Sequence, residues 1–160
     1  MARIETSIQI NAPQERCFDL ARSVEAHTYS TASTGERAVG GRMTGLLSLG
    51  DSVTWEARHL GITQKLSSRI TAYDRPRHFR DTMVRGAFAC FNHDHFFSAA
   101  GDATIARDVF EYRAPLGLLG KLVERVFLTG YMRRFLEVRA RELKALAESD
   151  AWVRFLPPAT

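Results

Sequence analysis

Apolar and polar residues alternate from Arg3 to Asn11. Ile4, Thr6, Ile8 and Ile10 fall on one face, and Arg3, Glu5, Ser7 and Gln9 on the other. Period two with one half-apolar face predicts a β-strand. Asn11-Ala12-Pro13 ends it. Asn11 can cap a helix, and Pro13 is tolerated in a first helical turn, where its missing N–H has no partner. The next stretch, PQERCFDLAR, puts Cys17, Phe18 and Ala21 on one side and Gln14, Glu15 and Arg22 on the other. It predicts a short amphipathic helix, with a second helical turn at Val24–His27. Residues 28–50 are rich in Ser, Thr and Gly and have no sustained period. They predict a loop, a short strand near Glu36–Val39, and a mobile connection around Gly40, Gly41 and Gly45. Leu46, Leu47 and Leu49 in this segment form either a flap over a cavity or a core contact.

From 51 to 113 the pattern reads as five strands with tight connections: Ser52–Leu60, Thr63–Tyr73, His78–Arg85, Phe88–Ala100 and Ala103–Arg113. No crossover helix fits the gaps, so the pairing is antiparallel. A two-residue Gly61-Ile62 loop predicts Trp55 opposite Ser68, Ala57 opposite Leu66 and His59 opposite Gln64. A two-residue Gly86-Ala87 turn predicts Asp81 opposite Asn92 and His93 opposite Arg80; a bulge there reverses the phase. After Ala114-Pro115, apolar residues recur at helical spacing: Leu119, Leu122, Val123, Val126, Phe127, Tyr131, Phe135, Val138, Leu143 and Leu146. This predicts a helix of about 30 residues, roughly 45 Å long. Gly130 lies inside it, at a bend or a close contact. The charges Arg133, Arg134, Arg139 and Arg141 read as its solvated face.

Composition changes this picture little. A chain of 160 residues, 45% apolar and 25% charged with a net charge of +4, is that of one ordinary globular domain. The expected division is a domain over 1–149 and a tail over 150–160, which Trp152 and Phe155 dock. The first residues carry no secretory h-region, and no apolar run reaches membrane-spanning length; the expectation is a cytoplasmic protein without stable membrane insertion. Cys17 and Cys90 are 73 positions apart and read as free thiols. No nucleic-acid motif accompanies the basic excess, and weak self-association is compatible with the surface.

The order strand, two short helices, six strands, long helix predicts an α+β fold. A curved antiparallel sheet must bury one face, and the last helix has the stripe to cover it, leaving a pocket roofed by the short helices and the 28–50 loop. The carriers "IQINAPQERCFDL", the central "DSVTWEARHLGITQKLSSRITAYDRPRHFRDTMVRGAFACFNHDHFF" and "DVFEYRAPLGLLGKLVERVF" resemble the START-like or SRPBCC superfamily over about residues 3–147. These are the helix-grip proteins that include polyketide cyclases/dehydratases, pollen-allergen-like proteins and lipid-transfer domains. The resemblance implies a helix-grip domain: about seven curved antiparallel strands around a long C-terminal helix, with two short helices after the first strand. It does not choose among enzymes, carriers and other roles.

The candidate chemistry centres on "FACFNHDHFF", residues 88–97. Alternation puts Phe91, His93, His95 and Phe97 on one face, read as inward, and Asp94 on the other. Two histidines at i and i+2 can chelate a metal, but a site needs a third ligand. His59 is the only further histidine of promise and Glu56 points away from it, so the reading is no metal and no cofactor. For acid–base work, Asp81 and Asp108 on neighbouring strands are the carboxylates to watch, with His95 and Asp108 meeting in one register. His59, His93 and His95 are the catalytic candidates. The expected cavity wall is Trp55, Ala57, His59, Gln64, Leu66, Ser68, Phe91, His93, His95, Phe97, Leu122, Val126 and Phe127. Such a mixed wall suits a small hydrophobic or amphipathic molecule. Binding is the favoured function; a cyclase/dehydratase-like enzyme using the cavity histidines is the alternative.

Overall fold

The computed structural model describes residues 1–115 and 127–157. Strand β1 (Ala2–Ile10) leads into helices α1 (Gln14–Ala21) and α2 (Val24–Ser30). A 3-10 turn at Ala32–Thr34 precedes β2 (Arg37–Gly41). Then come β3 (Ser52–His59), β4 (Ile62–Asp74), β5 (His78–Arg85), β6 (Cys90–Ala100), β7 (Ala103–Arg113) and helix α3 (Thr129–Glu148). The seven strands form one antiparallel sheet in the order β1-β7-β6-β5-β4-β3-β2. Helix α3 lies across one face of it. Near its start the hydroxyl of Tyr131 sits 2.9 Å from Nδ1 of His59 on β3. Farther along, Arg133 and Lys144 donate to the carbonyls of Glu5 and Gln9 on β1. This is the helix-grip α+β architecture that the element order implies.

Three local expectations are corrected. The β3–β4 turn is Leu60-Gly61, both at positive φ (53° and 79°), so Trp55 pairs with Leu66, Ala57 with Gln64 and His59 with Ile62. The slip is two residues, and because side chains alternate, every residue keeps its face. Gly40 and Gly41, expected in a mobile connection, are the last residues of β2. A Cβ on Gly41 would meet the carbonyl oxygen of Ser52 at 2.2 Å, so glycine lets β2 approach β3 this closely. The β5–β6 connection takes residues 86–89 rather than two, which pairs Asp81 with His93 and Thr82 with Asn92.

The described part of the C-terminal helix is 20 residues long; Leu119, Leu122, Val123 and Val126 lie outside the described residues. A Cβ at Gly130 would meet no neighbour within 4 Å, so close packing does not require glycine there. The face that α3 buries carries Met132, Leu136, Arg139, Leu146 and Ala147. Arg139, read from sequence as part of a solvated face, is only 8% exposed.

The core divides into two clusters. In the first, Phe18 of α1 makes edge-on contacts with Tyr73, Phe79 and Phe97 at 5.4–5.7 Å between ring centres, an arrangement the ring quadrupole favours. Leu47 joins this cluster as a core contact, while Leu49 is exposed. The second gathers Ile4, Phe91, Phe110, Tyr112, Met132 and Leu136. The tail folds back on the first cluster: Trp152 packs under the guanidinium of Arg16 at 4.2 Å, and the ring of Phe155 meets Tyr29.

Candidate functional site

Between the sheet and α3 lies a cavity of about 420 Å³. Strand alternation supplies its floor. Trp55, Ala57 and His59 come from β3, Gln64, Leu66 and Ser68 from β4, Asp81 from β5, Phe91 and His93 from β6, and Phe110 from β7. Helix α3 closes it with Tyr131, Met132, Phe135, Leu136 and Arg139. The roof contributes His27 of α2 and Glu36. Most of this wall is aromatic or aliphatic, with Glu36, Lys65, Asp81 and Arg139 as its charged members and His27, His59 and His93 as its imidazoles. A depression of about 480 Å³ near Ser33, Gly35, Arg58 and Thr63 is open to solvent and brings together no comparable set of groups.

Of the wall residues expected from sequence, eight line this cavity: Trp55, Ala57, His59, Gln64, Leu66, Ser68, Phe91 and His93. Phe97 instead packs against Phe18 in the first core cluster. Phe127 is half exposed, stacked on Tyr131. His95 lies behind the wall, in a small space shared with Asp108 and Arg139. Leu122 and Val126 fall outside the described residues. The sequence missed His27, Glu36, Phe110 and Arg139. An arginine three residues after Leu136 and four before Leu143, on a buried stripe, was the available signal for Arg139.

The charged groups form a network across three strands. Nδ1 of His95 is 2.6 Å from Oδ1 of its cross-strand partner Asp108. Nε2 of His93 is 3.6 Å from the same oxygen. On the other side, Asp81 Oδ2 is 3.9 Å from His95 Nε2, and Asp81 Oδ1 is 4.0 Å from His93 Nδ1. Burial disfavours the His95 cation, but the charge of Asp108, with Asp81 beside it, outweighs burial and raises the pKa. Burial likewise opposes ionisation of Asp108 and Asp81. The adjacent imidazoles win, and Asp108 is held well below the usual carboxylate range. His93 goes the other way, lowered by burial and by the His95 charge. Two carboxylates thus flank His95, and His93 faces the cavity.

A second polar group lines the roof. His27 Nε2 lies 3.0 Å from Glu36 Oε2, and the His27 ring stacks on Trp55. Burial pushes the Glu36 carboxyl up, but His27, Arg139 and His59 together bring it below its ordinary value. Desolvation lowers His59, partly offset by Glu36, and its Nδ1 lies 2.9 Å from the Tyr131 hydroxyl.

Three buried polar atoms of this wall have no hydrogen-bond partner among the described residues: Asp81 Oδ1, His93 Nε2 and Arg139 Nε. Arg139 makes no ion pair there either. Unpaired buried polar groups cost about 1–3 kcal/mol each, and a protein this size carries few. Asp81, His93 and His95 also present ligand-type atoms within 4.8 Å of one another, so the third group that the HDH segment lacked in sequence is Asp81.

Solved structures share this architecture. TTHA0849 from Thermus thermophilus superposes with a TM-score of 0.75 at 17% identity, covering 90% of this chain and 95% of that one. Protein CV1439 from Chromobacterium violaceum gives 0.72 at 13%, over 92% and 98%. Ginseng major latex-like protein 151 from Panax ginseng gives 0.66 at 16%, over 92% and 98%. At these identities the likeness is one of fold. Among curated protein sequences none matches this one significantly. The family model described as polyketide cyclase / dehydrase and lipid transport matches residues 1–148, nearly the whole chain, and the protein belongs to that family.

Proposed function

We propose that this protein binds one small hydrophobic or amphipathic molecule in the cavity between the sheet and α3. The observation that carries the reading is the cavity itself. Its volume of about 420 Å³ falls in the range of ligand pockets, and its mostly apolar wall with a few convergent polar groups is their usual chemistry. The unpaired atoms of Asp81, His93 and Arg139 support an amphipathic guest, since a polar head placed beside them would complete their hydrogen bonding. The family's lipid-transport description accords with this. No described helix is long and apolar enough to cross a membrane.

The test is titration with a fluorescent apolar probe, competed with fatty acids and aromatic acids, on wild type and Ala57→Trp. Ala57 is 6% exposed and lines the cavity, so the indole fills the space. Saturable binding that Ala57→Trp abolishes, with circular dichroism unchanged, is the expected result. No saturable binding by wild type across the panel would overturn the reading.

A second reading, a cyclase/dehydratase-like enzyme in the same cavity, rests on His93. It is buried, neutral, next to Asp81, and turned toward the cavity, as a general base must be. Turnover of a bound ligand that disappears in His93→Gln while probe binding persists would favour it; a ligand recovered unchanged after prolonged incubation would reject it.

A further inference from the structure

We propose that Asp81, His93 and His95 form a binding site for one divalent transition-metal ion, with Asp108 as the outer carboxylate that orients His95. The inference stands apart from the cavity reading, since it concerns the polar wall whether or not an organic guest is bound.

The orientation of the rings is the first argument. Asp108 Oδ1 approaches His95 at Nδ1 (2.6 Å) and His93 at Nε2 (3.6 Å). Each histidine therefore turns its other nitrogen away from Asp108, and those two nitrogens, His95 Nε2 and His93 Nδ1, are the ones facing Asp81 (3.9 and 4.0 Å). A carboxylate accepting the far N–H of a histidine fixes its tautomer and leaves the near nitrogen's lone pair for an ion. Asp108 does this for His95; it stands 3.6 Å from His93 Nε2 without bonding it.

The spacing is the second argument. Separations of 3.9 and 4.0 Å are too long for hydrogen bonds. Two ligand atoms each about 2.1 Å from one ion stand roughly 3.0–3.4 Å apart at octahedral to tetrahedral angles. The two measured separations would have to close by about 0.5–1 Å, and the three ligand atoms, which lie within 4.8 Å of one another, by up to about 1.8 Å, through side-chain torsions. Register makes this possible. Asp81 and His93 are a cross-strand pair, His95 follows on the same face, and His95 pairs with Asp108.

Charge and unmet bonding are the third. Asp81 Oδ1, which would face the ion, is buried and without a hydrogen-bond partner among the described residues. With the imidazoles neutral, Asp81 and Asp108 bring two negative charges to the ligand cluster, with Arg139 the nearby cation, so a divalent ion would meet a site of net negative charge. Two imidazole nitrogens and one carboxylate suit zinc, cobalt(II) or iron(II) better than magnesium or calcium.

The experiment uses tag-free protein stripped with a chelator. Zinc chloride is titrated by calorimetry near neutral pH, and cobalt(II) chloride by visible absorption. The expected result is one equivalent per chain with cobalt bands of imidazole ligation, lost in His93→Ala/His95→Ala and weakened about 10–100-fold in Asp108→Asn, as for outer carboxylates elsewhere. Wild-type imidazole NMR provides a reading that needs no variant: zinc should shift the ring signals of His93 and His95 and leave those of His78 in place. No stoichiometric zinc binding, or one equivalent retained by a folded double variant, or NMR shifts confined to His27, His59 or His78, would each overturn the site.

Discussion

Asp94 and Asp81 sit on adjacent strands, on opposite faces of one sheet. On the outer face, Asp94 accepts two hydrogen bonds from Arg80, at 2.8 and 2.9 Å, and lies 2.7 Å from His78 Nε2. Burial pushes its carboxyl up, and Arg80 and His78 more than reverse the effect. On the inner face, the nearest titratable partners of Asp81 are the two imidazoles at 3.9 and 4.0 Å, and its Oδ1 has no hydrogen bond among the described residues. The outer aspartate is completed by the protein's own side chains and needs nothing more. The inner one is held by charge and left open. The same contrast runs through Arg80, bonded to Asp94, and Arg139, buried on α3 without an ion pair among the described residues. Asp94 and Arg80 complete each other, whereas Asp81 Oδ1, His93 Nε2 and Arg139 Nε on the cavity wall have no hydrogen-bond partner among the described residues.

The largest effect that would sharpen this comparison comes from the outer face. Asp94→Ala leaves Arg80 and His78 without their partner and should cost about 2 kcal/mol in urea unfolding, the value for charge-assisted bonds reduced for the exposure of Arg80. A change below about 0.5 kcal/mol would show that Asp94 is not completed by these partners. The sign with pH follows from linkage. The folded carboxyl binds its proton less readily than the unfolded one, so its contribution is present above about pH 4 and lost as pH falls through the lower folded value. Asp94→Asn should flatten the acid limb of the stability profile and leave the slope above about pH 6 unchanged.

The inner face should respond less in stability and more in binding. Asp81→Asn removes a charge near His95 but no close hydrogen bond, so it should change unfolding free energy by under about 1 kcal/mol while weakening the binding of an apolar probe with a polar head. A stability loss equal to that of Asp94→Ala, with binding unaltered, would erase the distinction between the faces.

How far the sequence shows this site depends on which physical signal fixes each part. Strand alternation sorts residues by face, so Trp55, Ala57, His59 and His93 could be placed on the cavity side although the β3–β4 register slips by two. The slip has a definite cause: Leu60 adopts positive φ, which no residue-type preference signals. The phase of β6 against β5 depends on the length of the turn after Arg85. Gly86 is held against Leu66, whose Cδ1 would lie 2.3 Å from an added Cβ, a tertiary contact with no local trace. That turn decides whether Asp81 meets His93 or Asn92, and with it the third ligand of the proposed metal site. His27 and Glu36 come from a segment without period, and their meeting with Trp55 is set by how α2 packs. Arg139 shows the limit of reading charge as exposure: its position on the helix agrees with the buried stripe, and its chemistry does not.

Native mass spectrometry of the protein purified from its own host tests the central claim most directly. The open groups of the inner face predict a chain that carries a discrete mass above that of the polypeptide, from a small organic molecule, a metal ion or both, and that loses the organic part in Ala57→Trp. Wild-type protein at the bare polypeptide mass, under conditions that preserve a known noncovalent complex, would contradict the account.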